Sequence, residues 1–422
     1  MHAEVRPRWP GLFGCCALGA VGLALLLLPR IAAAEPDEAA LGKAQGYPLG
    51  TAETMYTDPF KVGSFSATDK IRKSRFVTHG DKVLPLEHAP SREITYQYQG
   101  QRRTLADYLN RRRVTGLLIL KGNQIVAEHY RYGRTAADRF VSFSMAKSVN
   151  SLLVGIALEK GILGSLDDPA EKYVPELRGS GYGQAKLRNL LRMASGVKFV
   201  EEYNGHDDIA RLHRAQVGLS SERPLDVLAS YRQQNFPGGQ RFGYGSSETT
   251  VVGYALARAA GKDIATLTRE WLWQPMGAEA DAAWNLAVDG QEQTEGGFNA
   301  TLRDYGRLGV LLAYDGRLGE RQIVPREYLL DATDATRQPQ AFRPRVATPY
   351  SGYGYQFWIF PLRVRTFALQ GIFGQCIFIQ PESKLVMVQT AVNERPTGGD
   401  SGTERDALWR GVLTALGGST EP

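Results

Sequence analysis

A serine three residues before a lysine can bring a nucleophile and an amine base onto one helical face, and Ser144-Met145-Ala146-Lys147 has that spacing. The chemistry on offer is acyl transfer: the amine takes the hydroxyl proton and the oxygen attacks a carbonyl. Two fixed residues also recur by chance, and Ser195-Gly196-Val197-Lys198 repeats the pattern. Their surroundings differ. Met145, Val149, Leu152, Leu153 and Ile156 trace one face of a helix opening at Ser144, with Ser142 as its expected N-cap. There the positive end of the helix dipole favours developing negative charge. Ser195-Gly196 instead follows a helix-like run, Leu187 to Met193, and reads as its stop and turn. Ser144 is therefore the candidate nucleophile, with a capping hydroxyl beside a surface lysine as its plain alternative. Lys147 serves as base only when neutral, which burial favours; otherwise, as a cation, it activates a second base such as a tyrosine.

The elements that must position these residues are legible from periodicity. Leu117 to Leu120, a turn at Lys121-Gly122-Asn123, and Ile125 to Tyr130 read as a hairpin, as do Cys376 to Gln380 and Leu385 to Thr390 around Pro381-Glu382-Ser383-Lys384. Tyr355 to Phe360 reads as a further strand. Helices are expected over Thr104–Arg112, Met145–Lys160, Lys186–Met193, Leu225–Tyr231, Glu248–Ala260 and Thr301–Tyr314. Strands at both ends with helices between predict an α+β fold: one antiparallel sheet built from both chain ends, flanked by helices, with a mostly helical insertion at about 171–290. Residues 35–95 are polar and weakly periodic, an N-terminal extension wrapping the domain of residues 96–422.

The first 34 residues have a different character. His2, Arg6 and Arg8 precede an uncharged run from Gly11 to Leu28, and Ala32-Ala33-Ala34 stands before Glu35. This order reads as a secretory leader cut after Ala34, with an uncleaved membrane anchor as the rival. A lipoprotein reading through Cys15 is disfavoured, because most of the apolar run follows that cysteine. The expected location is periplasmic or secreted. The chain has 50 basic and 44 acidic side chains; losing Arg6, Arg8, Arg30 and Glu4 leaves an excess of four positive charges. Arg111-Arg112-Arg113 is the densest basic cluster and reads as a solvated helix end, not a nucleic-acid surface. Cys376 would then be the one remaining cysteine, a buried structural thiol in an apolar strand.

Further segments occur in an order that resembles serine β-lactamase-like hydrolases: class C β-lactamases, penicillin-binding proteins, family VIII esterases and 6-aminohexanoate-dimer hydrolases. The segments are Arg139 to Ser148, Leu166-Asp167-Asp168-Pro169, Leu190-Leu191-Arg192-Met193-Ala194-Ser195-Gly196, Phe242-Gly243-Tyr244-Gly245-Ser246-Ser247, Gly296 to Asp304 and Tyr353 to Trp358. The likeness covers roughly residues 100–395. It implies a β-lactamase/transpeptidase-like fold, Ser144 as the acylated residue, Lys147 as proton acceptor and Tyr244 as acid–base partner. Ser246, third in Y-x-S, would hold Lys147 by a hydrogen bond; capping the helix near Glu248 is its simpler role. Leu369-Gln370-Gly371 stands where penicillin-recognising members carry K-T-G. No cation or hydroxyl remains there to grip a β-lactam carboxylate. Gly371 still permits close backbone approach, and the N–H of Ile372 would complete an oxyanion hole with that of Ser144.

Other chemistries find no support. There is no G-x-S-x-G elbow, no H-E-x-x-H, no P-loop and no Rossmann fingerprint, and His206-Asp207-Asp208 reads as a solvated loop. The expectation is an exported serine hydrolase of small esters or amides, with no cofactor, metal or nucleic-acid partner, touching membrane only through an uncleaved leader. The alternatives are a β-lactamase, a D-amino-acid or peptidoglycan peptidase, and a non-catalytic ligand-binding protein on the same fold.

Overall fold

The computed structural model describes residues 35–422, so the expected leader at 1–34, with Cys15 and Cys16, lies outside the described residues. In chain order the strands relevant here are β1 (Ser74–Val77), β2 (Glu87–His88), β3 (Val114–Lys121), β4 (Gln124–Tyr130), β5 (Phe140–Val141), β6 (Ala282–Asn285), β7 (Phe298–Ala300), β8 (Gly352–Tyr353), β9 (Trp358–Ile359), β10 (Phe367–Gln370), β11 (Cys376–Gln380) and β12 (Leu385–Ala391). The helices are α1 (Asp58–Phe65), α2 (Met145–Glu159), α3 (Asp208–Val217), α4 (Ser246–Ala260), α5 (Leu302–Ala313) and α6 (Asp400–Leu416).

The main sheet runs β8-β9-β10-β11-β12-β3-β4-β2. It is antiparallel except for the short pairing of β2 with β4. Both chain ends build it, as expected: β12 from the C-terminal hairpin pairs with β3 from the N-terminal one. The apolar run in β3 is buried on both faces, because successive side chains point opposite ways. Leu118 and Leu120 join the core beneath α5, while Leu117 and Ile119 join Leu408, Trp409 and Val412 of α6. α5 lies close to the sheet because Gly306 and Gly309 bring no side chain; a Cβ there would stand 2.6 Å from Leu118 and 2.4 Å from Val386.

A second sheet, β1-β6-β7-β5, ends just before the α2 serine. It was not legible in the sequence, since its strands are two to four residues long and drawn from distant segments. Its edge strand β1 comes from the N-terminal extension, which also contributes α1 and the main-sheet edge strand β2. The predicted strand at Tyr355–Phe360 shrinks to β9. Of Arg111, Arg112 and Arg113, only Arg111 is an exposed helix end, as read. Arg111 and Arg112 bond the fully buried Glu404 of α6, while Arg113, itself buried, bonds Asp37 and Asp58. The cluster fastens both termini to the sheet. Cys376 is free and buried in β11, where burial pushes its thiol up to about 12. Among the described residues no helix is long and apolar enough to cross a membrane, and no His, Cys, Asp and Glu group is suited to a metal.

Candidate active site

Ser144 sits at the mouth of α2 as its N-cap residue, separated from β5 by Ser142 and Phe143. The predicted N-cap, Ser142, does not cap; its hydroxyl donates to the Phe143 carbonyl instead. Phe143 holds φ at 44°, a left-handed conformation uncommon outside glycine and asparagine. The sharp turn presents Ser144 half-buried at a cavity wall while the rest of the first helical turn is buried.

Lys147 follows one turn later, and only 1% of its surface is exposed. Its Nζ lies 2.9 Å from Ser144 Oγ and donates to the Glu295 carbonyl at 2.7 Å. Burial strips the ammonium of its hydration and lowers the pKa to about 8, against smaller opposing pulls from Glu201 and Glu295. The carbonyl is held in place because Thr294 bonds the α4 backbone at Thr249, and the Glu295 side chain bonds Gln216 and Thr250.

Tyr244 precedes α4 and places its ring 5.3 Å from Lys147 Nζ. The ring stacks on Trp358 at 5.7 Å and meets Tyr353 edge-on at 6.1 Å. Burial, and then the Glu201 charge, drive its phenol pKa well above the usual range, while a hydrogen bond with Ser144 pulls it back. The phenol is therefore protonated at neutral pH.

Ser246 departs from expectation. It neither bonds Lys147 nor caps α4; Gly245 is the cap residue and Ser246 is the first helical residue. Its N–H and hydroxyl both donate to Glu201, at 2.6 and 2.8 Å. Glu201 also accepts from the Tyr203 hydroxyl at 2.5 Å, so one carboxylate ties the 201–203 loop to the start of α4 beside the site. Sequence reasoning missed both Glu201 and Tyr203, because a loop carboxylate two residues before a tyrosine has no helical or strand period to mark it.

Gly371 continues β10 and abuts the turn that leads into Ser144. A Cβ there would stand 2.4 Å from the Ser142 carbonyl and 3.1 Å from Ser144 N. Ile372 follows, and Ser144, Tyr244, Gly371 and Ile372 line one lobe of about 340 Å³. The side chain at the K-T-G position is uncharged, as read, but the lobe is not without cations. Arg395 and Arg405 line it from the C-terminal segment and α6. Arg405 donates to Gln370 Oε1 and to Asp406, each at 2.9 Å.

A larger lobe of about 450 Å³ shares Ser144, Glu201, Tyr203 and Ile372 with the first. Its far wall holds Met55, Tyr56, Thr68 and Arg72 of the N-terminal extension and His213 of α3. Asp207 lines it too, which corrects the solvated-loop reading. This residue is buried and caps α3, accepting N–H bonds from Ala210, Glu202 and Tyr203. The competing pair is inert: Ser195 is buried, with its hydroxyl donating to Glu248 at 2.6 Å, and Lys198 is exposed.

Comparison with known proteins bears on the family and the fold. Residues 101–410 match the Beta-lactamase family model. A 6-aminohexanoate-dimer hydrolase of Paenarthrobacter ureafaciens is 26% identical over 279 residues, 64% of this chain and 71% of that one. A Bacillus anthracis structure assigned as a 6-aminohexanoate-dimer hydrolase superposes with a TM-score of 0.76 at 22% identity, covering 85% of this chain and 95% of the other. A family VIII carboxylesterase superposes with a TM-score of 0.52 at 16% identity, covering 71% and 91%.

Proposed function

The chain belongs to the Beta-lactamase family, and from that premise we propose that it is a serine hydrolase cleaving small esters or amides through an acyl-enzyme on Ser144. The observation that carries the reading is Lys147 Nζ at 2.9 Å from Ser144 Oγ, buried and with a depressed pKa, at the wall of an open cavity. As the Oγ–carbonyl bond forms, the hydroxyl proton passes to neutral Lys147. The oxyanion is held by the N–H groups of Ser144 and Ile372. When the bond to the leaving oxygen or nitrogen breaks, that atom takes the proton from the Tyr244 hydroxyl, which Lys147 replenishes. Water then attacks the acyl-serine by the same path, and no metal or organic cofactor enters any step.

The loss of a lysine at the K-T-G position, where Leu369-Gln370-Gly371 stands and Arg405 engages the Gln370 side chain, supports open-chain acyl donors over β-lactams. The relatives named for 6-aminohexanoate dimer support linear amides within that class. Export through removal of residues 1–34 is part of the proposal.

Intact-mass analysis with a fluorophosphonate probe tests it. The wild-type protein gains one adduct, Ser144→Ala gains none, and the mass of exported protein begins at Glu35. Equal labelling of both proteins would sink the assignment of Ser144. A panel of p-nitrophenyl esters, a chromogenic β-lactam and 6-aminohexanoate dimer ranks substrates, and fast β-lactam turnover would overturn the reading of Gln370.

A further inference from the structure

The larger lobe contains a cation, Arg72, with no ion-pair partner among the described residues. Arg72 projects into it from the segment between α1 and β1, outside the residues 101–410 that match the family. Among the described residues no carboxylate lies within ion-pair distance of it. Its partners are long and neutral: Gln293 Oε1 at 3.3 Å, the Tyr56 hydroxyl at 3.4 Å, Met55 Sδ at 3.5 Å and His213 Nε2 at 3.2 Å. Arg72 Nε is buried with no partner, and so is the nearby Gln293 Nε2. Arg72 is partly buried, its Nε has no partner, and a carboxylate in the lobe would supply the countercharge that its neutral partners lack.

The lobe's own acids are occupied elsewhere. Glu201 is bonded by Ser246 and Tyr203, Asp207 by backbone N–H groups, and Glu295 by Gln216 and Thr250. The exposed Glu394 carboxylate lies 3.6 Å from Arg113. His213 offers no competing charge, since its burial and the neighbouring Arg72 and Arg214 hold its pKa down at about 3. The walls between Ser144 and Arg72 include Phe143, Val141, Met55 and Tyr56, a surface suited to an alkyl chain.

The two lobes have different parts in the reaction. Tyr244, the proton donor to the leaving atom, lines the smaller lobe and not the larger. The leaving group therefore departs through the smaller lobe and the acyl chain occupies the larger one. We propose that Arg72 is the anchor of an acyl-chain subsite, so that the preferred substrates are esters or amides whose acyl chain is linear, aliphatic and terminated by a carboxylate. The identification of the acyl lobe rests on the acyl-enzyme reading above.

Two measurements test it. Mono-p-nitrophenyl adipate and pimelate are compared with p-nitrophenyl hexanoate and heptanoate. The acid-terminated esters are expected to have the higher kcat/KM. Arg72→Gln is expected to reduce the acid-over-neutral ratio about tenfold or more, and Arg72→Lys to keep part of it. A wild-type enzyme without the preference, or a ratio untouched in both variants, overturns the subsite. In parallel, monomethyl adipate and methyl hexanoate are titrated calorimetrically into Ser144→Ala. Tighter binding of the acid, lost on adding Arg72→Gln, supports the subsite without any turnover, and equal or absent binding of the two overturns it. Failure of every ester with wild-type enzyme would instead refute the hydrolase reading and leave this binding result standing.

Discussion

At the scale of single residues, the proposed mechanism depends on keeping one amine neutral. Lys147 has lost nearly all contact with water, and its remaining partners are a hydroxyl and a carbonyl. With its pKa lowered to about 8, the competent, unprotonated fraction falls tenfold for each unit of pH below that value. The expected profile of kcat/KM therefore rises with unit slope up to about pH 8 and then levels. Tyr244 adds no early decline on the alkaline side, because its phenol is held above the ordinary range. A profile already flat at pH 6 would show that Lys147 acts as a cation, leaving the base elsewhere. Lys147→Arg is expected to lose about 10²–10⁴ in kcat, since a guanidinium does not deprotonate. The residues that sequence spacing could name are those tied to a helix: three positions along α2 force Ser144 and Lys147 together whatever the rest of the chain does. Ser246 was placed at the site but given the wrong partner, because its true partner is a loop carboxylate that only the folded chain brings near.

At the scale of elements, α2 and the sheet meet at a point where a side chain has no room. The Ser142 carbonyl and the Ser144 N–H both crowd the α-carbon of Gly371. Gly371→Ala must therefore push β10 away from the start of α2, displacing the Ile372 N–H from that of Ser144. If those two groups form the oxyanion hole, kcat falls about 10²–10³-fold while KM moves much less, as expected for a group acting mainly in the transition state. An unchanged kcat would remove Ile372 from the mechanism. A second junction explains why α4 stays in register with α2. Gln356 accepts from Thr249 of α4 through its side chain and from Ser148 of α2 through its carbonyl, while its amide donates to the Leu190 and Leu191 carbonyls. Elements with strong periodicity were legible to within three residues, including α2, α4, α5 and both hairpins. The short strands of the second sheet and the φ of 67° at Gln356 were not, because they are imposed by tertiary packing rather than local pattern.

At the scale of the whole molecule, the N-terminal extension supports the candidate active site. Phe65, at the end of α1, meets Phe143 edge-on at 4.9 Å and Phe373 at 5.2 Å. Both partners hold left-handed backbone, with φ of 44° and 59°, and they adjoin Ser144 and Ile372 respectively. Such conformations cost about 1–3 kcal/mol each and persist only where the surroundings over-determine them. One aromatic ring thus braces the two turns that flank the proposed oxyanion hole. The extension is itself pinned by Arg113 on Asp58 and by Lys61 on the Asn393 and Glu394 carbonyls. Phe65→Ala is expected to cost about 3–5 kcal/mol of stability through the cavity it leaves. Well below the melting transition it should also lower kcat, as Phe143 and Phe373 relax toward ordinary backbone and the two N–H groups diverge. Phe65→Leu, which keeps much of the volume, should lose less of both. Denaturant unfolding combined with esterase kinetics on the folded variants separates these effects. A full loss of stability with kcat intact would mean that the extension only holds the domain together. A fall in both would mean that a segment preceding the family match helps set the geometry of the reaction.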